Sequence, residues 1–260
     1  PQVNTSFAVP STPASDSLTT VKHPGGNSAG IMFDVQVKDY NLSIHTFDMY
    51  MYTYGQYGES RRVYFYYKEG TYWGAEHEPM NWILHDSVDV HMSDYNYQRN
   101  IYIPIILNKP IPLQAGKIYG IYITQGMVNE NNIFNCTGLP PVSNGQMTVF
   151  PGTKLQNRRF LNSAFPETDR KDGYMFSGTI HYDYSFECPQ DIMVNNEPGT
   201  CGARVTYPSL TADGGLNSGD TFPAGTTPAS VSVTDANTHT TYNCNLDVIV
   251  HDTEKPHFGF

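Results

Sequence analysis

The residues of this chain with the chemistry to make a site are four cysteines, nine histidines and a modest set of carboxylates. Cys188 and Cys201 lie in "CPQDIMVNNEPGTCGARVTYP", Cys136 in "NCT" and Cys244 in "CNLDVIV". A thioredoxin-like redox pair needs CxxC spacing, which none of them has. A zinc site needs closely spaced Cys and His ligands, and no histidine flanks Cys188 or Cys201. The chemistry left to them is structural disulfide bonding, which implies an oxidising compartment. The stretch "HDSVDVHMSD" is the densest mix of imidazole and carboxylate. In a strand, His85, Asp89 and His91 share one face, and Asp86 and Val88 the other. That pattern fits either a Ca²⁺ or transition-metal cluster or the polar outward face of a strand, and the second is expected. "ETDRKDG" at Glu167–Gly173 lacks EF-hand spacing. No GxSxG, HExxH, GxGxxG or P-loop pattern occurs, and neither an enzyme nor a cofactor is expected.

Two further groups of residues could bind a partner. The aromatic run from Tyr50 to Trp73 could stack on sugars, yet alternate residues such as Phe65 and Tyr67 must face a core. Three sequons, at Asn4, Asn41 and Asn135, are candidate glycosylation sites. Asn4 reads as part of an arm, Asn135 as part of a loop and Asn41 as the start of a strand. The formal net charge of −10 and the isolation of the Arg61–Arg62 and Arg158–Arg159 pairs argue against a nucleic-acid partner. No apolar run reaches the length of a membrane span. The chain opens "PQVNTSF" without Met and reads as a mature or processed chain.

Strands position these residues. Tyr, Thr, Asn, Gly and Pro are plentiful and strong helix formers scarce, the composition of a turn-rich all-β protein. "GIMFDVQV" puts Ile31, Phe33, Val35 and Val37 on one side. In "LSIHTFDMYMYTY" the apolar parity slips between Ile44 and Phe47, which predicts a β-bulge. "RRVYFYYK", "NIYIPIIL", "KIYGIYIT", "QMTVF" and "GYMFSGTIHYDYSF" complete about eight strands, and Pro104 marks a sheet edge or bulge. Turns such as "EGTYWG" and "QAGK" separate them. The expected fold is an all-β jelly-roll-like sandwich over 28–186, after an extended arm over 1–27. "DIMV", "ARVTYP", "SVSVTD" and "CNLDVIVHD" predict a small second sandwich over 187–256, with a tail at 257–260. About seventy residues make a marginal core, and such domains commonly carry a staple.

This second unit resembles the hyalin repeat, an immunoglobulin-like extracellular module. The resemblance rests on "CPQDI", "PGTCGARVTYP", "GDTFPAGTTPASVSVTDA", "CNLDVIV" and the closing "DTEKP", in order and spacing. It implies an immunoglobulin-like sandwich with an adhesive or matrix role and no catalysis. Many members carry a further Cys after an Asp-Asn pair. Here that place reads "TADGG" with Gly215, which leaves three cysteines in the repeat. The first and last strands of such sandwiches lie side by side, which favours Cys188–Cys244. Cys136 and Cys201 then pair with each other or stay free. The alternative is Cys136–Cys188 with Cys201–Cys244. Residues Gly30 to Thr124 resemble a β-sandwich module of secreted and surface proteins, for which no catalytic residues carry over.

The N-terminal arm alternates, with Val3, Phe7 and Val9 on one face, and "STPASDSLTT" reads as a tether behind it. The arm could fold back, stay disordered or add to a sheet edge of a neighbouring copy. The expected function is a secreted structural subunit of a filament, matrix or surface coat, assembled head to tail with copies of itself. The alternative is a carbohydrate-binding adhesin module.

Overall fold

The computed structural model describes residues 13–21, 26–51, 60–91, 102–125, 133–155, 171–186, 188, 190–206, 216, 218–234, 239 and 241–254. The fold is an all-β sandwich architecture in two compact units, which divide between Ser185 and Phe186.

The first unit is framed by eight strands: β1 (Ala14–Val21), β3 (Gly30–Val37), β4 (Asn41–Tyr50), β5 (Ser60–Glu69), β6 (Ile83–His91), β7 (Tyr102–Leu113), β8 (Ile118–Gln125) and β14 (Gly178–Ser185). They form two sheets, β1-β14-β4-β7 and β3-β8-β5-β6, the strand order of a jelly roll. Shorter strands widen the second sheet beyond β3: β2 (Gly26–Ser28), β9 (Ile133–Thr137), β10 (Val142–Ser143), β11 (Met147–Val149), β12 (Gly152–Leu155) and β13 (Lys171–Phe176).

Alternation explains the core. Ile31, Phe33, Val35 and Val37 of β3 are all buried, as are Ile121 and Ile123 of β8. Four phenylalanines join the sheets at the centre. Phe33 stacks on Phe176 at 5.4 Å, Phe47 stacks on Phe65 at 5.3 Å, and Phe47 meets Phe176 edge-on at 5.9 Å. Such pairs add about 0.5–1.5 kcal/mol each beyond area burial. The expected bulge is present: the register of β4 shifts between Ile44 and Thr46 against β7, so Ile44 and Phe47 both reach the core. Pro104 is exposed on β7, at the edge of the four-stranded sheet.

Two expectations are corrected. "STPASDSLTT" is not a tether throughout, because Ala14–Val21 pairs antiparallel with β14. Leu18 is its buried apolar anchor, and hydroxyls tie the rest down: Thr19 Oγ1 meets Thr179 Oγ1 at 2.9 Å, and Ser15 Oγ donates to Asp183 at 2.6 Å. The arm of 1–27 is therefore shorter than expected, and residues 1–12 lie outside the described residues. "GYMFSGTIHYDYSF" is two strands, β13 in one sheet and β14 in the other. The chain changes sheet at Ser177–Gly178. A Cβ on Gly178 would lie 2.0 Å from the Asp48 carbonyl oxygen, so only glycine fits this corner.

The second unit holds β15 (Ile192–Asn195), β16 (Gly202–Arg204), β17 (Thr221–Pro223), β18 (Gly225–Thr234) and β19 (Thr241–His251). One sheet has the order β15-β19-β18, with β15 parallel and β18 antiparallel to β19, and the other pairs β16 with β17. First and last strands thus lie side by side. Phe222, Ala203, Val205, Cys244, Leu246, Val248 and Val250 are buried, and Phe186 stacks on Tyr242 at 5.3 Å.

Candidate binding and assembly surfaces

Of the four cysteines, Cys188 and Cys244 are bonded to each other, with S–S 2.07 Å and Cα–Cα 5.4 Å. Cys244 is buried on β19, which puts the staple against the core of the smaller unit. Pairing of Cys136 and Cys201, whether mutual or with the other two, is overturned: both are free thiols. Cys188 and Cys244 satisfy each other, which leaves half-buried Cys136 in β9 of the larger unit and exposed Cys201 just before β16 in the smaller one.

The sequons separate by burial. Asn4 lies outside the described residues. Asn41 opens β4 half-buried, and its side-chain oxygen accepts the Ala115 amide at 2.9 Å. Asn135 is not in a loop. It sits within β9, fully buried, and its Nδ2 donates to Ser28 Oγ at 2.7 Å. Nδ2 is the atom a glycan would occupy, so the expectation of glycosylation there is corrected. The short strand Ile133–Thr137 was hidden by its polar "NCT" half.

Residues His85–His91 of the mixed imidazole and carboxylate stretch lie in strand β6, where their side chains disperse to separate partners, and residues 92–94 lie outside the described residues. Arg62 grips Asp89 bidentately at 2.8 and 2.6 Å, and that guanidinium holds the carboxyl below its ordinary pKa. His91 Nδ1 pairs with Ser60 Oγ at 2.6 Å, and His85 Nε2 with the Lys109 carbonyl at 3.0 Å. Burial pushes Asp86 up. Bonds from the Asn108 side chain and from the amides of Asn108, Ser87 and Lys109 outweigh it, so the pKa is lowered. Asp86 thereby clips β6 to β7 across the open side of the sandwich. Among the described residues no group of three Cys, His, Asp or Glu side chains can hold a metal ion.

Tyr52, Tyr54 and Tyr57 of the aromatic run lie outside the described residues, and the rest of it has two destinations. Phe65 faces the interior, and Tyr67 lies half-buried at its margin between Tyr119 and His85. Tyr64 and Tyr66 face the other way, yet Tyr66 is buried because residues 70–82 cross that outer face as a strap. Trp82 Nε1 donates to the Ala75 carbonyl at 2.9 Å, and its ring meets Tyr122 edge-on at 5.7 Å. Tyr66 stacks on Tyr122 at 5.5 Å, and Met32, Leu155, Tyr72 and Ala75 complete a second small core. Asp34 fastens the strap, accepting Thr71 Oγ1 at 2.6 Å and the Tyr72 amide at 2.8 Å. Burial raises the Asp34 pKa against the lowering effect of those two bonds. Trp73 projects from the strap and is 58% exposed.

One array escaped sequence reading. On the outward face of the four-stranded sheet, His181 Nε2 meets Asp48 Oδ2 at 2.7 Å, His45 Nε2 lies 3.9 Å from Asp183 Oδ1, and the two imidazoles are 6.4 Å apart. The parity of "GTIHYDYS" places His181 and Asp183 outward, but only the bulge at His45 brings the second imidazole alongside. The array is a hydrogen-bonded, salt-screened surface network.

Val3, Phe7 and Val9, expected from the sequence to mediate assembly, lie outside the described residues. In the smaller unit β19 is central, whereas β18 has a strand on one side only among the described residues. No helix among the described residues is long and apolar enough to cross a membrane. No protein-family model matches the chain, and no curated protein matches it.

Proposed function

We propose that the chain is a structural building block of an extracellular filament, matrix or surface coat, assembled by contacts between copies. The observation that carries this reading is the disulfide-closed smaller unit. It joins Cys188 to Cys244, and its first and last strands lie side by side in parallel. Adjacent first and last strands are what an immunoglobulin-like sandwich, the fold implied by the resemblance to the hyalin repeat, would have; that family's roles are adhesive and structural, and a structural disulfide fits an oxidising compartment. In this reading Asn4 and Asn41 are the glycosylated positions, and the role is non-catalytic. The test is sedimentation and electron microscopy of the chain secreted in oxidised form. Concentration-dependent assembly without any added ligand is expected, and a strict monomer over the accessible range refutes the reading.

A second reading, carbohydrate binding, is favoured by Trp73, a largely exposed indole on a strap pinned by Asp34. A ring held on a fastened segment loses little freedom on stacking with a sugar. Glycan-array binding abolished by Trp73→Ala would support it, and no binding by the wild type would remove it.

A further inference from the structure

We infer that the acceptor of the contact between copies is the edge of β18 that no described strand covers, and that its occupant is the N-terminal arm of a second copy. The inference rests on the assembly reading above and adds the surface and the partner segment.

The hydrogen-bonding phase of β18 follows from two observations. Pro228 is registered opposite Asp247 on β19. The Asp247 amide points away from β18 and donates to the Asp191 carboxylate, on the β15 side, at 2.8 Å. Pro228 and Asp247 are therefore a non-hydrogen-bonded pair, so the even-numbered residues of β18 turn their backbone polar groups toward the open edge. Thr226, Ser230, Ser232 and Thr234 present N–H and C=O groups there, and Pro228 presents a C=O alone. The odd-numbered residues bond to β19.

This edge lacks most of the features that keep sheet edges from pairing. "GTTPASVSVT" has no charged residue, and its ten-residue register with β19 is free of bulges. Charges, bulges and prolines are the usual protections, and only Pro228 is present. Edges in the larger unit are better protected: β7 carries three prolines and a lysine, and β1 carries Asp16.

The arm "PQVNTSFAVP" supplies what the edge lacks. Its alternation sets Val3, Thr5, Phe7 and Val9 on one face. On the core-facing side of β18, Ala229 is buried and Thr227 half-buried, and both are small, so an added strand with larger apolar side chains would thicken the core at its thin margin. Its backbone would pair with the even-numbered residues of β18. Donor and acceptor are different surfaces, so the contact is heterologous and can propagate as an open fibre.

The experiment uses the full chain in its oxidised form. A synthetic peptide of residues 1–12 at tenfold excess should cap open edges and return assemblies to monomer in sedimentation velocity. Ser230→Pro removes one edge N–H without touching the β19 ladder and should raise the concentration for assembly at least tenfold, whereas Ser230→Ala should leave it unchanged. Phe7→Asp, a change in the arm and not in β18, should match the loss, and the melting of the smaller unit serves as the fold control. If the wild type assembles but ignores the peptide and both disruptive variants, the β18 edge is not the acceptor and the structural reading survives. Dimers that persist in Phe7→Asp mean that two β18 edges pair with each other, which also overturns the arm. A wild type that never assembles overturns both the reading and the inference.

Discussion

Reduction of Cys188–Cys244 should unfold the smaller unit selectively. The bond spans a sequence separation of 56, which on the chain-entropy model corresponds to about 4 kcal/mol. A unit of roughly seventy residues has a total stability of roughly 3–10 kcal/mol. The staple is therefore comparable to the whole margin. With about 4–8 °C per kcal/mol for a domain of this size, its loss should lower that unit's melting temperature by about 15–30 °C. The larger unit contains no disulfide and should not move. Calorimetry with and without reductant separates the two transitions, and Cys188→Ser should reproduce the reduced profile. Thiol titration provides the check: Cys136 and Cys201 are free before reduction, and Cys188 and Cys244 join them after it. A shift of less than about 4 °C with all thiols titrating would refute the argument, because it would limit the staple to about 1 kcal/mol.

Phe47→Ala removes the ring that joins both sheets and should cost the larger unit about 3–5 kcal/mol in urea denaturation. Gly178→Ala forces a methyl group against the Asp48 carbonyl and should cost at least about 2 kcal/mol, whereas Gly116→Ala, whose methyl meets nothing beyond its chain neighbours within 4 Å but sits at a φ of +74°, should cost only about 1–2 kcal/mol for a left-handed backbone. The Asp34 pKa is raised by burial, so the folded state holds its proton more tightly than the unfolded chain. This carboxyl's contribution to stability should decline as pH rises from the ordinary value of 3.8 through the raised one, and Asp34→Asn should remove that slope from denaturation curves. Expressed through a eukaryotic secretory pathway, Asn135 should be unglycosylated on peptide mapping, and a glycan there would contradict its burial.

Much of the framework was legible because strand parity is local. The slip between Ile44 and Phe47 announced the bulge, and Pro104 announced the edge, each from a few neighbouring residues. Segments whose partners lie far along the chain were not legible. Ala14–Val21 has one buried apolar side chain, Leu18, and owes its form to β14, more than 150 residues away in sequence, through hydroxyl contacts such as Thr19 to Thr179. Asn135 looked like a loop residue for the same reason: its pairing partners, Gly26 and Phe176, lie in distant strands.

Which side of a strand is outside is a different kind of question, and alternation alone cannot answer it. Met32, Tyr66 and Tyr122 alternate with core residues and should face solvent, yet all are buried, because a strap bolted down by Asp34, Thr71 and Trp82 covers them. That strap draws Tyr66 and Tyr72 of the aromatic run into a second core and leaves Trp73 exposed on it. The same logic governs the edges. "SVSVTD" and "NLDVIVHD" are equally β-like in sequence and look equally able to accept a strand. Pairing order distinguishes them: β19 has neighbours on both sides, and β18 on one among the described residues. Acceptor capacity is thus a property of position in the sheet, and Pro228 is tolerated there because its nitrogen faces away from β19 and leaves the ladder within the chain intact.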